Sequence, residues 1–179
     1  MTPQNILNFW FTEAGPEKWY KKDEAFDDEL RERFLDLHTK IVNGTDGWDD
    51  SVEANFARVI VLDQFSRNMF RDMPEAFAFD TQALAIAQSV VDDEEDKEIP
   101  IEQRAFLYMP YMHSESRKVH EEAVGLFEKL GNPNNLKYEH LHKDIIDRFG
   151  RYPHRNAILG RKTTPEEQAF LSSDEVSSF

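Results

Sequence analysis

The sequence contains no cysteine among its 179 residues. This absence excludes a disulfide-stapled scaffold, thiolate catalysis, and zinc or iron–sulfur sites built on cysteine. It also agrees with a reducing compartment, so we expect a cytoplasmic location. The opening Met-Thr-Pro-Gln-Asn has neither a basic region nor a long apolar run, and we expect no secretory signal. No stretch of about 18 apolar residues occurs, so we expect no membrane-spanning segment.

Basic residues are scarce. The chain carries 21 Lys and Arg against 35 Asp and Glu, which gives a formal net charge of −14. Nucleic acids and anionic membranes repel a strongly acidic surface, so we expect neither as a partner. The Gly-rich phosphate loops of common nucleotide enzymes and the Gly-x-Ser-x-Gly turn of many hydrolases are also missing.

The apolar pattern is helical nearly throughout, with no alternating Val/Ile/Thr-rich runs typical of strands. The spacing of Phe26, Leu30, Phe34, Leu37 and Ile41 is one example. It predicts an all-α, single compact domain over residues 1–171, followed by a frayed polar tail over residues 172–179. We expect about seven main helices in antiparallel pairs, with short C-terminal helices.

Capping residues and breakers predict where several helices begin and end. Asp80 has the position of an N-cap, and the acidic run 92–98 is interpreted as a solvated loop or helix end. Pro110 lies inside a helical pattern and is expected to kink or end that helix. Thr164-Pro165-Glu166-Glu167 is typical of a capping box with proline at the first helical position.

The few basic residues concentrate at predicted helix ends, where polar groups can converge without interrupting an apolar stripe. Residues 142–162 hold six Lys and Arg against two Asp, together with His142 and His154. Smaller groups occur at residues 67–71 and 111–117. Arginine offers permanently charged, bidentate donors suited to oxyanions, so these segments predict a basic pocket.

Three segments in order, LDQFSRNMFR (62–71), YMPYMHSE (108–115) and RFGRYPHRN (148–156), carry a resemblance to a known family. The chain resembles the bacterial and fungal "domain of unknown function 924" family over essentially its whole length. The resemblance implies an all-helical, tetratricopeptide-like fold and no established activity. Ser66 stands where proline is expected, and Tyr152 where phenylalanine is more usual. The signature positions it implies are Arg67, Asn68, Arg71, His113, Glu115, Arg148, Arg151, His154, Arg155 and Asn156.

The leading hypothesis is a binding module whose Arg/His-lined pocket takes a small anion or an acidic group of a partner protein. Its predicted ligand-binding residues are Arg67, Asn68, Arg71, His113, Arg151, His154, Arg155 and Asn156. The three segments are expected to meet, with Arg67, His113 and Arg155 around one site. Glu115 would orient an arginine or a histidine.

Two alternatives stay open. One is an enzyme in which a histidine beside a carboxylate performs acid–base chemistry on an anionic substrate, with His113, Glu115 and His154 as catalytic candidates. The other is a structural or interaction protein whose motif residues form a buried ion-pair network. A metal site is not predicted, because no local histidine pair supports it and the arginines would repel a cation. No cofactor is predicted, and the sequence makes no statement about the oligomeric state.

Overall fold

The computed structural model describes residues 1–173, and every regular element within them is a helix. This confirms the prediction of an all-α fold. The predicted tail over 172–179 lies outside the described residues from residue 174 onward. No helix in the described part of the chain is long and apolar enough to cross a membrane.

The chain divides into two compact units, and the division falls between Pro110 and Tyr111. The α-helices of the first unit are α1 (Pro3–Asn8), α2 (Pro16–Trp19), α3 (Glu24–Val42), α4 (Val52–Val59), α5 (Ser66–Met69), α6 (Asp80–Asp92) and most of α7 (Ile101–Met112). Two π-helical turns (Phe9–Ala14 and Ile60–Phe65) and two 3₁₀ turns (Pro74–Ala76 and Glu95–Glu98) complete it. The single-domain prediction stays a prediction.

Three helices of the first unit begin where a side-chain oxygen accepts a hydrogen bond from a free backbone N–H group. Thr2, Asp23 and Ser51 cap α1, α3 and α4 in this way. The apolar stripe of α3 is buried along its whole length, as its spacing predicts. It packs against aromatic rings of the first π-helical turn, and Phe9 and Phe34 lie 4.7 Å apart between ring centroids.

One boundary prediction in this unit is wrong, and the prediction of a solvated acidic run at a helix end holds except at one buried residue. The capping position of α6 is Phe79, not Asp80, whose carboxylate instead faces Arg67. The acidic run is not wholly solvated either, because Asp96 is buried and accepts a hydrogen bond from the Tyr108 hydroxyl. Both acids have partners distant in sequence, which local patterns do not reveal.

The second unit runs from Tyr111 onward. Its helices are α8 (Arg117–Leu130), α9 (Pro133–Phe149) and α10 (Pro165–Leu171), with a 3₁₀ turn at Pro153–Arg155. α8 packs against α9 across a turn at Gly131, whose φ of 75° lies in the left-handed region that favours glycine. One hydrophobic cluster of the second unit consists of the buried residues Ile145, Ile146, Tyr152 and Phe170.

The expected capping box at the start of α10 is present. The Thr164 hydroxyl accepts from the Glu167 N–H, and the Glu167 carboxylate accepts from the Thr164 N–H. Pro110 does not end its helix, since α7 continues through it to Met112. A tetratricopeptide-like arrangement stays a prediction.

Candidate functional site

The first signature segment ties α5 to α3. Arg71 donates from Nε and Nη2 to the two carboxylate oxygens of Asp27, at 2.6 and 2.9 Å. Asn68 donates to the same carboxylate at 2.8 Å. Burial opposes ionisation of Asp27, but the hydrogen bonds from Arg71 and Asn68 outweigh it and lower the pKa of that carboxyl. Asp27 is 2% exposed and the Arg71 side chain is 27% exposed, so a buried carboxylate pairs with a half-buried guanidinium.

Arg67 lies between two aspartates. Its Nη1 is 3.0 Å from a carboxylate oxygen of Asp63 and donates to the Asp63 carbonyl at 2.7 Å. Its Nη2 is 3.0 Å from a carboxylate oxygen of Asp80. Asp63 lies in the second π-helical turn, four residues before Arg67, and is fully buried. Carboxylates therefore contact both ends of this guanidinium.

Ser66 contacts a buried histidine, His38, which the sequence analysis did not single out. The His38 Nε2 lies 2.8 Å from the Ser66 hydroxyl, and both side chains are buried. Burial lowers the pKa of His38 to about 4, so the ring is neutral at pH 7. The hydroxyl that replaces the family's expected proline thus has a buried partner 28 residues away.

In the second unit, Glu115 is held by Arg161. Two guanidinium nitrogens of Arg161 donate to the Glu115 carboxylate at 2.7 and 3.0 Å. The backbone N–H of Tyr152 donates to the same carboxylate at 2.7 Å. Burial raises the pKa of Glu115, but these hydrogen bonds and a weaker contribution from the Arg155 charge bring it below its ordinary value. The predicted orienting role of Glu115 therefore has a partner, Arg161.

Asn156 links this pair to a second one. Its side-chain oxygen accepts from Arg161 at 2.9 Å, and its amide nitrogen donates to Glu167 at 3.2 Å. Arg151 donates twice to the Glu167 carboxylate, at 2.6 and 2.9 Å. The Arg151 hydrogen bonds are the main reason that the pKa of Glu167 falls to about 2. Arg151 and Asn156 thus belong to a continuous network of paired charges.

A different arrangement surrounds Tyr152. We call His113, His142, Tyr152, His154 and Arg155 the imidazole–arginine cluster. The His154 and His142 rings lie 5.4 and 5.7 Å from the Tyr152 ring between centroids, and His113 lies 6.4 Å from His142. The Arg155 guanidinium lies 4.7 Å from the Tyr152 ring centroid, and its Nη2 donates to the His113 carbonyl at 3.0 Å.

Three elements contribute to this cluster. His113 follows the last residue of α7, His142 lies on α9, and the other three residues come from the 3₁₀ turn and its capping residue. Burial lowers the pKa of His142 to about 3. A hydrogen bond to the Tyr138 carbonyl raises this pKa, but the charges of the neighbouring histidines lower it further. His142 is therefore neutral at pH 7, in a setting that disfavours added positive charge.

Behind Tyr152 lies a buried pair that local sequence patterns do not signal. His120 on α8 and Glu139 on α9 are fully buried, with Nδ1 and Oε1 2.7 Å apart. The His120 Nε2 faces the Ser114 carbonyl at 2.9 Å and the Tyr152 hydroxyl at 3.2 Å. The Tyr152 hydroxyl donates to the Met112 carbonyl. Helix packing alone brings these residues together.

Hydrogen-bond rules define the protons in this pair. A carbonyl only accepts, so the His120 Nε2 carries a proton. One further proton must then lie between Nδ1 and the Glu139 carboxyl, and the pair is neutral overall. The second carboxyl oxygen of Glu139 is buried with no partner in the described residues, and burial raises the pKa of Glu139. Both features favour a protonated Glu139 that donates to His120.

The two units thus hold different parts of the predicted site. Arg67, Asn68 and Arg71 lie in the first unit, and the other site residues lie in the second. Convergence of Arg67 with His113 and Arg155 stays a prediction. Among residues 1–173, no group of three or more histidine and acidic side chains could hold a metal ion.

The family profile described as "Bacterial protein of unknown function (DUF924)" matches residues 6–175. The chain belongs to the DUF924 family. A solved structure of a protein of unknown function from Agrobacterium tumefaciens is 38% identical to this DUF924 chain. The alignment covers 95% of this chain and 96% of that one, with a TM-score of 0.89. The comparison with curated proteins finds no match.

Proposed function

We propose that the imidazole–arginine cluster binds a small anion that carries a carboxylate or a phosphate group. One observation carries the proposal: two imidazoles and a guanidinium lie against one tyrosine ring, and a third imidazole lies beside one of the two. The acids nearby have other principal partners, since Glu115 is held by Arg161 and Glu167 by Arg151. The cluster is therefore a concentration of cationic and titratable donors in an otherwise acidic protein.

The chemistry of the members fits this ligand class. Arginine presents a rigid fork of N–H donors that matches the oxygens of carboxylate and phosphate. Histidine changes charge near neutral pH and donates from both ring nitrogens when protonated. His154 is exposed, while His113 and His142 are half-buried, so the cluster extends from the surface inward.

The proposal narrows the set of anion-binding residues. Arg67, Arg71 and Arg151 each pair with carboxylates at 3.0 Å or less, and a ligand would have to displace those acids. These arginines are better suited to joining helices. Their pairing is the observation that favours the structural alternative, in which the network serves folding alone. Acid–base catalysis stays a hypothesis.

Thermal unfolding with and without phosphate tests the proposal. Phosphate should raise the melting temperature of the parent beyond what chloride does at equal ionic strength, because it binds the folded state. Arg155→Met and the exposed-site variant His154→Gln should lose most of this increment. Arg148→Met is the matched control, since Arg148 is exposed and pairs with Glu166, and it should keep the increment.

An NMR titration of the histidine rings gives a second readout. A bound anion favours the imidazolium form, so phosphate should raise the pKa of His142 from its low value. An unchanged His142 titration, together with equal responses to phosphate and chloride, would contradict anion binding. The structural alternative would then be the better account of the cluster.

A further inference from the structure

We infer that a cavity in the first unit binds a small organic cation, such as a primary amine with a short hydrocarbon body. The cavity has a volume of about 420 Å³ and lies between α1, the first π-helical turn, and the starts of α4 and α7. That volume is within the usual range for small-molecule sites, roughly 300–1,000 Å³. It lies wholly within residues 1–110 and shares no residue with the imidazole–arginine cluster.

The cavity wall is apolar on one side. Phe11 and Phe56 form part of it, and their rings are stacked with centroids 5.8 Å apart. Leu7 and Ile99, both buried, extend this surface. Such a wall accepts a hydrocarbon body, and an aromatic face also attracts a cation.

Most of the polar side chains that line the cavity have no protein partner among residues 1–173, and four of these are exposed. Within the described part of the chain, Gln4, Thr12, Glu53, Glu98 and Gln103 make no side-chain hydrogen bond and no ion pair. Asn8 is the exception, since its amide donates to Glu13 at 3.1 Å. These five polar groups, which make no hydrogen bond or ion pair within the described residues, can therefore form hydrogen bonds or ion pairs with a ligand in the cavity.

Charge decides which ligand class fits best. Two of these five polar groups are the carboxylates of Glu53 and Glu98, and the described residues that line the cavity include no Lys or Arg. Both carboxylates are exposed and hydrated in the absence of a ligand, so a neutral polyol gains nothing from their charge, and an anion would be repelled. An ammonium group pairs with a carboxylate while the amides and the hydroxyl accept its remaining N–H groups.

Helix dipoles offer a simpler explanation for the presence of Glu53 and Glu98 at these positions. Glu53 lies in the first turn of α4, and Glu98 precedes α7, where negative charge is favourable without any ligand. Glu102 separates the two explanations, because it lies in the first turn of α7 but does not line the cavity. If the acids only stabilise helices, Glu102 should behave like Glu53 and Glu98. If they bind a cation, only Glu53 and Glu98 should affect binding.

The test is an NMR titration of the full chain with n-butylammonium chloride, with 1-butanol as the uncharged probe. We expect saturable shifts at the Gln4 and Gln103 amides with butylammonium and weaker binding of butanol. Glu53→Gln and Glu98→Gln should each weaken butylammonium binding roughly two- to fivefold, as for a partly exposed ion pair. Glu102→Gln should leave it unchanged.

Three results would overturn the inference. Equal weakening by Glu102→Gln would show a general charge effect. Equal binding of butanol would show an apolar cavity without selectivity for cations. Non-saturable shifts would show that the cavity is not a binding site. None of these results bears on anion binding at the imidazole–arginine cluster, so the two proposals are tested separately.

Discussion

At the scale of single residues, the buried Glu139 makes a prediction about pH. Its folded-state pKa is raised by burial, so the folded protein keeps a proton that the unfolded chain releases. Stability from this group is fully present below the unfolded pKa and is lost as pH rises through the folded value. Urea unfolding should show this loss in the parent, and Glu139→Gln should remove it.

The same variant distinguishes the two protonation patterns. A glutamine amide donates to the His120 Nδ1 as a protonated carboxyl does, so Glu139→Gln should cost below about 1 kcal/mol. His120→Ala leaves the carboxyl buried without a partner and should cost about 1–3 kcal/mol, besides the cavity it creates. A large loss in Glu139→Gln, equal to that of His120→Ala, would indicate a charged Glu139 instead.

The Tyr152 hydroxyl is a second test at this scale. It donates to the Met112 carbonyl and lies 3.2 Å from the His120 Nε2. Tyr152→Phe should cost about 0.5–1.5 kcal/mol in urea unfolding, the usual net value of a buried hydrogen bond. The ring stays, so phosphate stabilisation should survive. Loss of the phosphate effect in this variant would mean that the hydroxyl itself contacts the anion.

At the scale of elements, the sequence predicts helices well where their signals are local. The caps of α3 and α4 and the capping box of α10 need only neighbouring residues, and all three are present. The π-helical turns were not predicted, since one turn of altered pitch barely changes the spacing of apolar residues. The cap predicted at Asp80 is wrong, and Asp96 is buried within a mostly exposed acidic run, because the partners of both acids lie elsewhere in the fold.

For the candidate site, too, the sequence does not reveal partners that only the fold brings together. The sequence identified clusters of Arg and His, and the structure places His154 and Arg155 against the Tyr152 ring, with Arg155 bonded to the His113 carbonyl. It could not tell which arginines are paired, because the acids that hold them lie up to 46 residues away. His120 and Glu139 stood out in no motif, since their pairing depends on how α8 packs against α9.

The ion pair between α3 and α5 leads to a prediction about acid stability. Arg71→Met leaves Asp27 buried with only Asn68 as a partner, so it should cost about 1–3 kcal/mol at pH 7. The pKa of Asp27 is lowered on folding, so this contribution is present above the unfolded pKa and is lost as pH falls through the folded value.

The matched control for this variant is Arg33→Met on α3. Arg33 is exposed and pairs with Glu13 and Glu29, which are also exposed. Exposed pairs contribute at most about 1 kcal/mol, so the control should lose little. Urea unfolding of both variants from pH 7 downward makes the comparison. Equal losses at pH 7 would show that the Asp27 pair is not specially stabilising.

At the scale of the whole molecule, two electrostatic effects oppose each other. The net charge of −14 produces long-range repulsion that destabilises the fold, whereas many short ion pairs stabilise it. The pairs are close, for example 2.6 Å for Lys40 with Asp36 and 3.1 Å for Arg33 with Glu13. The Debye length falls from about 30 Å at 0.01 M salt to about 10 Å at 0.1 M. Moderate salt therefore screens distant acids from one another far more than it screens atoms in contact.

We therefore expect the free energy of unfolding to rise as NaCl increases over this range, because relief of repulsion outweighs weakening of the pairs. The measurement is urea unfolding at pH 7. Glu102→Lys removes one negative charge and adds one positive charge at an exposed position without a partner among the described residues, so its salt dependence should be shallower than the parent's. A free energy of unfolding that falls with salt would instead mean that short-range ion pairs dominate the electrostatics. Added phosphate, as a salt, would then also lower stability, so its binding would have to outweigh that loss.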